Sequence, residues 1–149
     1  MKTLQDVYSY LNETGYFYLS TVEGDHPKCR PLGVHLLIDG QLYFGIGNFK
    51  DVYKQMCINP KVEITASRRR DWIRVYGTAV FEKTDDIANR LLEQTPGLRD
   101  IYSEESGRKI MIFHLEQATA EFRSMLSVDE SFQFCWRLSF RRWPASLQS

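Results

Sequence analysis

The residues best suited to chemistry lie between positions 27 and 62. Arg30 sits in Pro27-Lys28-Cys29-Arg30-Pro31-Leu32-Gly33, and Lys50 closes Gly45-Ile46-Gly47-Asn48-Phe49-Lys50. An arginine offers an oxyanion a planar fork, and a lysine offers a point charge. Glycines let backbone N–H groups approach an anion, and the first turn of a helix leaves its own N–H groups free. The stretch therefore reads as a phosphate cradle. Taken alone, the residues equally allow an ordinary β–α turn with a solvated Lys50 and an Arg30 exposed on its strand. The dinucleotide fingerprint is not met, because Lys50 stands where the third glycine belongs. Trp72 and Arg74 share one face of a later strand. A tryptophan there suits stacking on a flat ring, sealing a protein interface or closing a barrel rim.

Other candidates carry less. His26, His35 and His114 have no carboxylate or cysteine at catalytic spacing and read as structural. Ser20, Ser67 and Ser127 show no nucleophile elbow. Cys29, Cys57 and Cys135 are scattered, with neither zinc nor disulfide spacing. No metal site is expected, and no catalytic residue can be named. Arg68-Arg69-Arg70, with Trp136, Arg137, Arg141, Arg142 and Trp143, would suit nucleic acid. However, 19 basic residues balance 19 acidic ones, so no global field recruits a polyanion, and the cluster reads as a solvated turn and tail. The start of the chain lacks an apolar signal core, and no run approaches the roughly 18 apolar residues of a membrane span. A cytoplasmic protein without membrane or nucleic-acid partners is expected.

The elements that must position Arg30 and Lys50 follow from periodicity. Thr3 is suited to cap a first helix carrying Leu4, Val7, Tyr8 and Leu11 on one side, stopped near Gly15. Strands are expected over 16–22, 30–38 and 42–46, with Asp39-Gly40 as a type I′ hairpin between the last two. That pairing would set position 30 opposite 48–50. Asn48 is expected to cap a helix ending at Asn59-Pro60, with Lys50 in its first turn. Strands over 62–66 and 72–81 follow, then a helix capped by 84–86 and a helical turn near 98–102. The stretches 109–115 and 118–125 read as two strands or one bent strand, and 132–140 as the last. Six or seven strands with two or three inserted helices make a mainly β, antiparallel sheet. A sheet of that size is expected to close into a barrel, removing its edges.

In order and spacing, these pieces resemble the short, single-domain bacterial members of the pyridoxamine 5′-phosphate oxidase-related, FMN-binding split-barrel superfamily. The resemblance rests on Pro27, Arg30-Pro31, Asp39-Gly40, Leu42-Tyr43-Phe44, Lys50 to Gln55, Asn59-Pro60-Lys61-Val62 and Trp72 to Gly77. It covers about residues 1–134, leaving 135–149 as a tail. It implies a homodimer of split barrels with FMN at the interface. Arg30 and Lys50 would hold the phosphate, with hydrogen bonds from Asn48 and the backbone at Gly47. Pro31, Leu32 and Phe44 would lie along the ribityl chain and the ring, and Trp72 of the other chain near that ring. The chain departs at Ile46 and Phe49, where relatives often carry hydroxyls, each hydrogen bond worth about 0.5–1.5 kcal/mol. It also lacks the Arg-x-His motif of true pyridoxamine phosphate oxidases. The implied function is a flavin-dependent oxidoreductase of unknown substrate. The alternatives are a non-enzymatic flavin- or haem-binding sensor or carrier and, less favoured, a nucleic-acid-binding barrel.

Overall fold

The structure is a computed structural model and describes residues 1–135. Helix α1 (Leu4–Thr14) starts where the sequence places it. The Asp6 carboxylate accepts the Thr3 backbone N–H at 2.7 Å, and Gly15, at φ 75°, ends the helix. Val7, Tyr10 and Leu11 turn its apolar stripe inward.

Eight strands form one antiparallel sheet: β1 (Phe17–Glu23), β2 (His26–Leu32), β3 (His35–Ile38), β4 (Gln41–Gly47), β5 (Lys61–Ser67), β6 (Asp71–Phe81), β7 (Ile110–Ser124) and β8 (Val128–Phe134). Asp39 and Gly40 both have positive φ, as a type I′ turn between β3 and β4 requires. Helix α2 (Asp51–Ile58) follows β4, and helix α3 (Asp86–Gln94) with a 3-10 turn (Pro96–Asp100) lies between β6 and β7.

The single strand expected over 30–38 is two strands. β2 pairs with β1 and β3 with β4, at opposite ends of the order β2-β1-β5-β6-β7-β4-β3. Pro27 and Pro31 supply no ladder N–H, which suits β2 to an edge. The Gly33-Val34 link can span only about 11 Å between Leu32 and His35. A flat sheet would separate its outer strands by roughly 29 Å. The sheet must therefore curl until its ends meet, joined by covalent chain rather than by a ladder. That makes it a split barrel.

β7 serves both halves of the barrel. Its first part pairs with β4 and its second with β8, and Gln117, at φ 47°, marks the bend between them. Opposite the bend, a Cβ on Gly77 would sit 2.8 Å from the Ala118 Cβ, so only glycine permits this approach. The stretches 109–115 and 118–125 are thus one bent strand. β8 begins at Val128, earlier than expected, and the part of the expected strand past 135 lies outside the described residues, as does the tail with Trp136, Arg137, Arg141, Arg142 and Trp143.

Phe17, Leu19, Phe44, Ile64, Ile73, Val75, Phe113 and Leu115 fill the barrel, closed by Val7 and Leu11 of α1 and by Val52 and Met56 of α2. A second apolar layer seats Ala88 and Leu91 of α3 on Leu36, Tyr43, Ile110 and Ile112. Among the described residues no helix is long and apolar enough to cross a membrane.

Candidate functional site

Arg30 lies on β2 beside Leu19 of β1, and its side chain reaches α2. Its Nη1 donates to Thr21 Oγ1 at 2.7 Å and to the Leu19 carbonyl at 3.1 Å, while Nη2 donates to Gln55 Oε1 at 2.7 Å. The Thr21 hydroxyl donates to the same Gln55 oxygen at 2.6 Å, and the Gln55 amide donates to Glu23 Oε2 at 3.1 Å. Thr21 and Gln55 are buried, so each needs these partners. Burial lowers the Arg30 pKa, slightly offset by Cys29, but a guanidinium stays charged in any protein setting. The end-on edge of the guanidinium is thus spent on Thr21 and Gln55. The side edge, Nε–H and the remaining Nη2–H, has no acceptor among the described residues. Those parallel donors are what a bidentate oxyanion contact uses.

The cradle is built differently from the sequence expectation. Because β2 pairs with β1, position 30 is not opposite 48–50. Asn48 does not cap α2. Its N–H donates to the Lys109 carbonyl at 2.9 Å and its Oδ1 accepts the Lys109 N–H at 3.0 Å. This clamp fixes the loop against the segment entering β7. Lys50 occupies the N-cap position itself and not the first turn. Its ammonium lies 5.9 Å from the centre of the Phe49 ring, and no carboxylate of the described residues pairs with it. Arg30 and Lys50 still address the same helix: Lys50 begins α2 and Arg30 grips Gln55 about 7.5 Å further along it.

The other residues singled out in the sequence scatter around this pair. Pro31 is exposed, and Leu32 is half-buried against the core. Phe44 is only 1% exposed, with its ring packed on Phe17 and Phe113 inside the barrel. Gly47 lies beneath the Phe49 ring: a Cβ there would be 2.7 Å from Phe49 Cε1 and 3.0 Å from the Tyr102 hydroxyl. Trp72 stands on the outer face of β6, its ring 5.0 Å from the guanidinium of Arg74 and 5.0 Å from that of Arg123.

Thr21 and Gln55 escaped the sequence reading. The signal existed, since each is a polar residue inside an apolar pattern: Thr21 in phase with Phe17 and Leu19, Gln55 beside Val52 and Met56. His114, read from the sequence as a structural residue with no carboxylate at catalytic spacing, has two carboxylates against its ring. His114 is buried, with Nδ1 2.7 Å from Glu82 and Nε2 3.1 Å from Glu116. Glu82 is remote in sequence, and only the pairing of β6 with β7 brings it there. Among the described residues no cluster of His, Cys, Asp and Glu could hold a metal ion.

Comparison with known proteins gives a consistent picture. No family model and no curated protein matches the chain. Among solved structures, a NimC/NimA family protein from Clostridium acetobutylicum is 32% identical, with a TM-score of 0.77, over 87% of this chain and 91% of that one. A putative pyridoxamine 5′-phosphate oxidase from Listeria innocua is 22% identical, with a TM-score of 0.59, over 83% of this chain and 98% of that one. An FAD-binding protein from Mesorhizobium loti is 18% identical, with a TM-score of 0.53, over 83% and 96%. The last two likenesses establish the fold.

Proposed function

Since this chain belongs to the NimC/NimA family, within the pyridoxamine 5′-phosphate oxidase-like split barrels, we propose that it binds FMN and uses it as a flavin-dependent oxidoreductase. The observation that carries this reading is the half-satisfied guanidinium of Arg30. Its end edge is locked to Thr21 and Gln55, and its side edge is left over beside a helix whose N-cap, Lys50, pairs with no carboxylate of the described residues. A phosphate group supplies acceptors for that edge and counter-charge for Lys50, and the helix N-terminus favours the same anion. When bound, the flavin supplies the redox chemistry; the protein anchors its phosphate, orients its ring and excludes water.

The same reading includes a homodimer. The outer face of β1, β5, β6 and β7 presents Tyr18, Tyr76, Trp72, Arg74 and Arg123, with Tyr18 54% exposed. Arg74 Nε and Arg123 Nε are buried yet make no hydrogen bond among the described residues, although Arg74 Nε stands 3.2 Å from Glu63. A second copy laid on this face would cover the rings and offer acceptors. Tyr18 pairs in register with Pro31, next to Arg30, so the face borders the proposed phosphate site.

The test is titration of the purified protein with FMN, read by quenching of flavin fluorescence. Binding at roughly 50 μM or tighter, about −6 kcal/mol, is expected; no quenching at that level refutes the reading. Reduction of the bound flavin by NADH or NADPH would then separate an oxidoreductase from a flavin carrier. Sedimentation of the protein and of Trp72→Glu tests the dimer: a dimer is expected for the first and a monomer for the second.

A further inference from the structure

Next to the proposed phosphate site stand three residues, Phe49, Tyr102 and Arg108, that the FMN assignment does not employ. Phe49 is 44% exposed, and the Arg108 guanidinium lies 4.6 Å over its ring. Tyr102 leans against the same ring at 6.3 Å, and the Lys50 ammonium approaches it at 5.9 Å. The group is held in place from below. Gly47 has no side chain to lift the ring, and the Asn48–Lys109 clamp binds the loop to the segment that carries Arg108. Lys109 is neutralised by Asp85 at 2.8 Å, whereas no carboxylate of the described residues pairs with Arg108.

An aromatic ring flanked by cations selects a ligand that is both flat and anionic. Arginine planes and aromatic faces stack on nucleobases, and free cations take phosphates. The position narrows the choice. Phe49 is the chain neighbour of Lys50, so a ligand reaching this platform from the Arg30–Lys50 site continues past its first phosphate. We propose that Phe49 and Arg108 receive the adenine base and second phosphate of a flavin dinucleotide, giving the protein a preference for FAD over FMN. The proposal rests on the flavin reading above. It assigns a role to Phe49, which removes a hydroxyl from the first phosphate site and places a stacking surface beyond it.

The test compares the FMN and FAD affinities of the intact protein, of Phe49→Ser and of Arg108→Ala by fluorescence quenching. In the unaltered protein FAD is expected to bind roughly tenfold or more tightly than FMN, the scale of one base-stacking contact. In both variants the ratio of the two affinities should fall towards one. FAD binding no tighter than FMN overturns the proposal and leaves the flavin reading standing. A preference for FAD that survives both substitutions overturns the assignment to Phe49 and Arg108. Failure of both flavins to bind overturns both readings.

Discussion

Arg30 and Lys50 form a contrasting pair on one helix. Arg30 is half-buried and held by Thr21, Gln55 and the Leu19 carbonyl. Lys50 is exposed, reaching no acceptor among the described residues, with only the Phe49 ring nearby. The first is a positioned fork whose geometry the fold has already fixed. The second is a charge on a long stem that no hydrogen bond of the described residues holds. In the proposed reading, Arg30 therefore serves both stability and recognition, whereas Lys50 serves recognition alone.

The sharpest way to break this contrast is Arg30→Ala. It leaves Thr21 and Gln55 short of a partner and should cost about 1.5–3 kcal/mol, the scale of hydrogen bonds to a charged group. Thermal unfolding should fall by about 5 °C or more, and the FMN Kd should rise at least about tenfold. Gln55→Leu comes next. It strands one Nη2–H of Arg30 and the Thr21 hydroxyl, and about 1–2 kcal/mol of stability should be lost. FMN binding should weaken less than in Arg30→Ala, because the charge remains. Lys50→Ala should leave the unfolding temperature within experimental scatter, as surface changes stay within about 0.5 kcal/mol. Its FMN Kd should still rise about fivefold at low salt, the difference shrinking as salt is added. If Lys50→Ala destabilises the fold as much as Arg30→Ala does, the contrast fails.

A polar cluster at the other end of the barrel calibrates the smallest effect. The Tyr10 hydroxyl donates to Asp71 Oδ1 at 2.6 Å and accepts the Arg68 N–H at 3.2 Å. Burial, then the Asp71 bond, push its pKa up to about 12. The neutral phenol is thus favoured in the folded state. Its contribution is complete below the unfolded value near 10 and is lost as pH rises from about 10 to about 12. Unfolding curves across that window should show this loss in the unaltered protein and less of it in Tyr10→Phe, with FMN affinity at neutral pH unchanged. An equal alkaline loss in both proteins would refute the role of Tyr10.

Much of the fold was legible because its signals are local. The Thr3–Asp6 cap, Gly15, Asp39-Gly40 and the alternation of Ile73, Val75 and Ala79 act within a few residues of themselves. The break at Gly33-Val34 was not legible, since an apolar run reads the same whether it continues one strand or crosses between two edges. Asn48 was misread for a related reason. As a capping type it belongs before a helix, but its real partner is Lys109, supplied by β7.

The sequence by itself determined the antiparallel β architecture, both ends of α1, the end of α2 before Asn59-Pro60, and the presence of Lys50 after a glycine-rich loop. Turn chemistry and side-chain periodicity depend only on neighbours along the chain, so they can be read there. The tertiary structure alone decided which edge of the Arg30 guanidinium is spent, which carbonyl and amide hold Asn48, and how Phe49 meets Arg108. Those contacts join residues far apart in sequence. They exist only because the sheet curls until β2 approaches α2, and because β7 runs beside the loop that ends β4.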